Sequence, residues 1–254
     1  MQRLRAIFIL IGFLGLTLPL MPLQFLLIHL NSRAAARLPW HYHRLLCLLL
    51  GITVNIEGII PTGPALLVSN HVSWMDIPIL SAVTPLSFIA KREVGNWPLF
   101  GWMAKLQRSV FINRERRHST RKSTEEIVVR LKANDCLVLF AEGTSNDGNS
   151  VKPFKSSYFG VVDALDVPVI PITIVYQRNL RLPITRRNRP LFAWHGDMDL
   201  VPHLWAALQA GPLDVTVLIH PALQQASRKE MAKTAEATIR QSLALVLHGG
   251  GEIR

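Results

Sequence analysis

Six short apolar runs, rich in β-branched residues, punctuate the chain at positions 66–69, 86–90, 110–113, 137–140, 169–175 and 215–219. Runs this short and this continuous predict strands buried on both faces. Helical spacing fills the gaps between them. Pro98 suits a first helical position ahead of 99–106. Ser123-Thr124-Glu125-Glu126 has capping-box spacing inside a basic helix that ends near Asn134. Ser227-Arg228-Lys229-Glu230 has the same spacing and opens a long helix reaching about Leu247. Strand–helix alternation of this kind predicts an α/β fold, a mixed sheet flanked by helices.

The N-terminus has a different texture. Residues 7–30 contain no Asp, Glu, Lys or Arg. As one helix they would span about 36 Å, enough to cross a bilayer. Arg3 and Arg5 flank one end, Arg33 and Arg37 the other. Pro19 and Pro22 interrupt the stretch, so a single straight helix does not follow from its hydropathy. A second apolar run, 45–52, is short for a span and suited to lying in one leaflet. The chain therefore divides into a membrane-anchoring helical region, 1–55, and an α/β domain, 56–254.

Net charge is +11 over 254 residues, unevenly spread. Residues 178–189 carry five Arg and no acid; 114–132 carry seven basic and three acidic residues. Such patches favour anionic partners. The aromatic-rich strand signatures of RNA-binding sheets are absent, which argues against nucleic acid. An anionic lipid surface suits a chain that already carries an anchor. Cys47 and Cys136 sit in apolar runs without metal or redox spacing, as free thiols in a reducing compartment do.

Candidate chemistry centres on Asn-His-Val-Ser-Trp-Met-Asp at 70–76. A strand ending at Ser69, then a turn and a helix start, would set His71 beside Asp76. A carboxylate on one imidazole nitrogen fixes the tautomer and raises the basicity of the other. The same residues also fit a helix-capping Asp and a packed His. Glu142-Gly143-Thr144 follows a strand pattern. Gly143 permits positive φ there, and Glu142 could hold a hydroxyl or organise the loop, unless this is an ordinary strand-to-turn connection. His195, Asp197, Asp199 and His203 match no metal-ligand spacing, so no metal is expected.

Three further segments accompany the His71/Asp76 pair. Residues 109–117 read Ser-Val-Phe-Ile-Asn-Arg-Glu-Arg-Arg, 136–145 read Cys-Leu-Val-Leu-Phe-Ala-Glu-Gly-Thr-Ser, and 167–176 read Val-Pro-Val-Ile-Pro-Ile-Thr-Ile-Val-Tyr. In order and rough spacing, the four blocks resemble those of the glycerolipid acyltransferases, which include the 1-acyl-glycerol-3-phosphate acyltransferases. The resemblance implies His71 as general base, Asp76 as its orienter, Arg114 on the acceptor head group, and Glu142, Gly143 and Thr144 lining the acceptor site. Lys155, in a Pro-Phe-Lys segment, would be a secondary anion contact. Many phosphate-acceptor members follow Glu-Gly-Thr with Arg. Here Ser145, Asn146, Asp147 and Gly148 follow, which looks more like the lyso-ornithine-lipid branch.

The resemblance implies a lysolipid O-acyltransferase whose acyl donor is a thioester, acyl-CoA or acyl carrier protein, with no other cofactor. 1-Acyl-glycerol-3-phosphate is the first expected acceptor and lyso-ornithine lipid the alternative. A membrane-bound serine hydrolase is a distant competitor, since no Gly-x-Ser-x-Gly occurs; a non-catalytic lipid-surface binder is another. The expected location is a bacterial-type inner membrane with the catalytic domain on its cytoplasmic side. Nothing in the sequence fixes the oligomeric state.

Overall fold

The structure, a computed structural model, describes residues 1–112 and 117–248, with 117–123 as backbone. Its helices are α1 (Gln2–His29), α2 (Ala34–Leu50), α3 (Asp76–Val83), α4 (Phe100–Leu106), α5 (Arg117–Lys132), α6 (Leu200–Gln209) and α7 (Arg228–His248). Its strands are β1 (Ile52–Gly58), β2 (Ala65–Ser69), β3 (Ser87–Lys91), β4 (Val110–Ile112), β5 (Cys136–Phe140), β6 (Val169–Asn179), β7 (Leu182–Pro183) and β8 (Leu213–Ile219).

One mixed sheet runs β1-β8-β6-β2-β5-β3-β4, with β7 hairpinned onto β6. The block from β6 to β4 is parallel; β8 meets β6 antiparallel, and β1 pairs parallel with β8. All six expected strands form. β1 does not announce itself, because the 45–52 run joins a helix to a strand. Gly51, at φ +71°, is the left-handed residue that ends α2 between them. β1 is also an edge strand with mostly exposed residues, and it straddles position 55.

Alternation along the central strands builds two cores. Ala65 and Leu67 of β2 and Val138 of β5 face one side, packed with α2 and α3 residues such as Cys47 and Ile79. Leu66 and Val68 with Leu137 and Leu139 face the other, under Ile127 and Leu131 of α5 and Met231, Ala235 and Ile239 of α7. The α7 start is the expected capping box: the Ser227 amide and hydroxyl both donate to Glu230, and the Glu230 amide donates back to Ser227 Oγ. α5 begins at Arg117, so Ser123 lies inside the helix and not at its cap. Pro98 precedes α4 by two residues, and Leu99 turns into it at φ +57°.

α1 is unbroken across Pro19 and Pro22. The helix is 28 residues long, apolar enough and long enough to cross a membrane by length and composition. Its polarity is inverted relative to a soluble helix. Thr17 and Gln24 face the body with Ala6 and Ile9, whereas Leu4, Phe8, Ile11, Leu14 and Leu18 are exposed. The inward residues hold along the whole length. Arg5 donates to the carbonyls of Leu208 and Leu50, Thr17 pairs with Tyr42, and Gln24 Nε2 donates to the carbonyls of Ala35 and Leu106.

Candidate active site

Parallel pairing puts the carboxyl ends of β2 and β5 level, while β6 runs on beside them to Asn179. Ser69 is registered with Phe140 on one side and Ile172 on the other. The loops leaving β2 and β5 therefore emerge together, the usual position for a ligand site in such a sheet. Asn70 fixes the first turn. Its side chain accepts from the Ile174 amide at 2.8 Å and donates to the Ile174 carbonyl at 3.0 Å, clamping the exit of β2 to β6.

The next residues form a tight cage around Asp76, which is fully buried. Its Oδ2 accepts from His71 Nδ1 at 2.7 Å, the Val72 amide at 2.6 Å and the Ser73 amide at 3.0 Å. Its Oδ1 accepts from the Tyr176 hydroxyl at 2.7 Å. Four donors and no acceptor make a setting for an ionised carboxylate. Its place in the first turn of α3 adds the favourable end of the helix dipole. Burial, and then the Asp76 charge, push the Tyr176 phenol well above its usual range, so its proton stays in the bond to Asp76. His71 is stacked on Phe140, with ring centroids 4.0 Å apart and planes 15° apart. With Nδ1 committed to Asp76, Nε2 is the nitrogen left for chemistry, and His71 lines a cavity.

That cavity has a volume of 530 Å³. Its floor lies at His71, Phe140, Gly143 and Thr144, and its roof is the inward face of α1 with α2. Trp97 and Trp194 stand edge to face at its rim, 6.1 Å apart, beside His195 and Gly196. The 195–199 loop thus borders the site, and Trp194 Nε1 pins it by donating to the Met198 carbonyl at 2.8 Å.

Glu142 is placed differently from a substrate contact. It is buried and does not line the cavity. Its carboxylate accepts from the His71 amide at 2.8 Å, the Lys152 amide at 2.9 Å and the Asn146 side chain. Burial pushes it up and these bonds hold it down, for a net rise. Of the two roles open to it, Glu142 takes that of tying the β2 and β5 loops together. Gly143 sits at φ +75° and, with Thr144 and Ser145, reaches the cavity. Lys155 is exposed with its ammonium 5.8 Å from the Tyr158 ring centroid, and it does not line the cavity. Arg114 lies outside the described residues. Among the described residues no group of three or more His, Cys, Asp or Glu is placed to hold a metal.

Tyr176 and Asn70 are the site residues that sequence reasoning passed over. Both lie in the quoted blocks, but nothing local marks a tyrosine 100 positions from Asp76 as its hydrogen-bond partner.

This fold and site define an acyltransferase-like enzyme. The sequence profile of the acyltransferase family matches residues 51–175. A lyso-ornithine lipid O-acyltransferase of Brucella abortus is 42% identical over 97% of this chain and 96% of its own length. A 1-acyl-sn-glycerol-3-phosphate acyltransferase of Neisseria gonorrhoeae is 30% identical over 72% of this chain and 71% of its own length. The crystal structure of the 1-acyl-sn-glycerophosphate acyltransferase PlsC from Thermotoga maritima superposes with a TM-score of 0.70 at 21% identity, covering 98% of both chains. The chain belongs to the acyltransferase family, within its lysolipid-acylating members.

Proposed function

We propose that this protein transfers a fatty acyl group from a thioester to the free hydroxyl of lyso-ornithine lipid. The observation that carries the chemistry is His71, oriented by buried Asp76 and opening into an apolar cavity. The acceptor hydroxyl attacks the thioester carbonyl while His71 Nε2 takes its proton, and Asp76 stabilises the resulting imidazolium. The tetrahedral intermediate expels the thiolate, which receives that proton. No acyl-enzyme and no cofactor beyond the acyl donor are needed. The Gly143 amide is already bonded to the Phe140 carbonyl, so an oxyanion donor comes from further along the loop, near Thr144.

Two observations favour lyso-ornithine lipid over 1-acyl-glycerol-3-phosphate, the acceptor placed first above. The relative of that name matches at higher identity and over more of its length. Ser145 stands at the cavity where phosphate-acceptor members commonly carry Arg. Within this reading Arg114 would meet the acceptor's anionic group.

We read residues 1–55 as the anchor and 56–254 as the transferase part. Because α1 is held to the body from Arg5 to Gln24, it suits immersion in one leaflet better than a crossing. Acyl thioesters are made in the cytoplasm, so the transferase part belongs on the cytoplasmic face of a bacterial-type inner membrane. The test is an assay of the purified protein with both lysolipids against acyl-CoA and acyl carrier protein thioesters. Acylated ornithine lipid should dominate. Exclusive formation of phosphatidic acid would reassign the acceptor, and release of free fatty acid alone would restore the hydrolase reading.

A further inference from the structure

The five arginines of the basic run 178–189 are of two kinds. Arg189 is turned inward: it is buried, and it donates to the Ile184 carbonyl at 3.1 Å and to the Asn149 side chain. Arg178, Arg181, Arg186 and Arg187 are exposed. Two leucines stand among them on the hairpin that joins β6 to β7. Leu180 is 56% exposed and Leu182 69%. Ile184 pins the base of this hairpin from the core, its amide donating to the Gln177 carbonyl at 2.8 Å.

The residues at the tip are a costly choice for folding. Asn179 pairs with Leu182, which leaves Leu180 and Arg181 as a two-residue turn. Both have positive φ, +51° and +66°. A turn of this kind favours Asn-Gly, and a leucine or an arginine in it is strained. Strain is kept where it serves something other than the fold, and here it sets an apolar and a cationic side chain at the end of a protrusion. The tip also adjoins the amino end of α1. The Leu180 amide donates to the Pro212 carbonyl at 3.0 Å, and its side chain lies so close over Gly211 that a Cβ there would strike it. Pro212 and Arg5 both crowd Gly51. Leu4, next to Arg5, and Leu48, three residues before Gly51, are exposed at the same corner.

Exposed leucines with arginines at their margin have the composition of a segment that lies in a membrane surface. The apolar side chains enter the acyl boundary and the cations stay with anionic head groups. We infer that the β6–β7 hairpin is a second membrane contact: Leu180 and Leu182 dip into the leaflet that holds α1, and Arg178 and Arg181 meet anionic lipid head groups. The proposal rests on the one-leaflet placement of α1 and is independent of the acceptor. A single helix lying in the surface leaves the body free to roll about the helix axis. A contact on another element stops that roll and fixes the angle at which the cavity meets the lipid.

Depth is read site by site in the full-length protein, on phosphatidylcholine vesicles with or without phosphatidylglycerol. Leu182→Cys, Leu14→Cys and Lys229→Cys each carry an environment-sensitive fluorophore. Cys47 and Cys136 are buried, and parent protein taken through the same labelling gives the background. Leu14 is on the exposed face of α1; Lys229 is on α7, which packs on the opposite face of the sheet. Lipids with a nitroxide high on the acyl chain quench a label that enters the leaflet. The labels at 14 and 182 should be quenched and that at 229 should not, and phosphatidylglycerol should strengthen quenching at 182. Adding Arg178→Gln and Arg181→Gln should remove that gain, since each charge near an anionic surface is worth roughly fivefold in binding. Leu180→Asn with Arg181→Gly relaxes the turn, so Tm should hold or rise while quenching at 182 falls. Quenching at 14 without quenching at 182 would overturn the proposal and leave the placement of α1 standing; quenching at neither would overturn both. Quenching at 182 that ignores phosphatidylglycerol, or that survives the relaxed turn, would overturn the proposal as well.

Discussion

Tyr176→Phe removes one oxygen from the cage around Asp76 and nothing else. The lost bond, 2.7 Å from hydroxyl to Oδ1, ends on a fully buried carboxylate. A hydrogen bond to a charged group contributes about 1.5–3 kcal/mol, and no water reaches Oδ1 to replace it. For a chain of this size that corresponds to a fall in Tm of roughly 3–12 °C. Turnover should respond less. The three bonds to Oδ2, including that from His71, remain and still hold the imidazole. We therefore expect kcat to drop less than about tenfold, with KM for both substrates unchanged, well short of the 10²–10⁴ typical of losing a general base. Thermal unfolding of detergent-solubilised parent and variant gives the first number, and initial rates give the second. An unchanged Tm would show that the hydroxyl does not hold Asp76. A thousandfold loss of kcat in a folded variant would place Tyr176 in proton transfer and refute its assignment as a positioning residue.

His71→Ala should lose about 10²–10⁴ in rate while folding normally; parent-like turnover in the folded variant would end the mechanism. Asp76→Asn is a sharper probe than Asp76→Ala, because Ala strands two buried amides and a phenol; initial rates should show a loss comparable to His71→Ala with a smaller fall in Tm. Ser145→Arg should impair lyso-ornithine lipid by setting a guanidinium against its amine at the cavity, and should preserve or improve use of 1-acyl-glycerol-3-phosphate; the opposite pattern in paired assays would overturn the reading of this loop. Stability should fall with acid: His43 is held down to about 3, while an unfolded histidine titrates near 6.5, so between those values the unfolded chain binds the extra proton. Burial lowers His203 and His220 as well, with the same sign. A Tm that rises from about pH 4 to pH 7, less steeply in His43→Phe, is the expected record.

The strands were legible because parallel neighbours bury both faces, which leaves continuous runs such as 137–140 with no polar residue to blur them. β1 escaped for the converse reason. At the sheet edge it keeps Asn55 and Glu57 exposed, and the glycine that separates it from α2 reads as part of one apolar run. The catalytic pair was legible because its two members are five residues apart and one turn brings them together. What surrounds the pair was not. Tyr176 reaches Asp76, and Glu142 reaches the His71 amide, only because β6 and β5 flank β2, and strand order is a property of the sheet that no local spacing encodes. The inward polar residues of α1 were invisible for a similar reason. In an almost wholly apolar helix, Thr17 and Gln24 look incidental until their partners on α2 and α4 are known.

A helix that is both the roof of the cavity and the side turned to lipid changes what concentration means for this enzyme. On the one-leaflet placement proposed above, acceptor, product and roof share one thin layer, so the rate should follow the mole fraction of lysolipid in the surface and not its amount per litre. Diluting a fixed quantity of acceptor with inert lipid or detergent would slow the reaction at constant bulk concentration. Fatty acyl product left in that layer would compete for the same cavity, so turnover would slacken as the surface fills, well before the acceptor is spent.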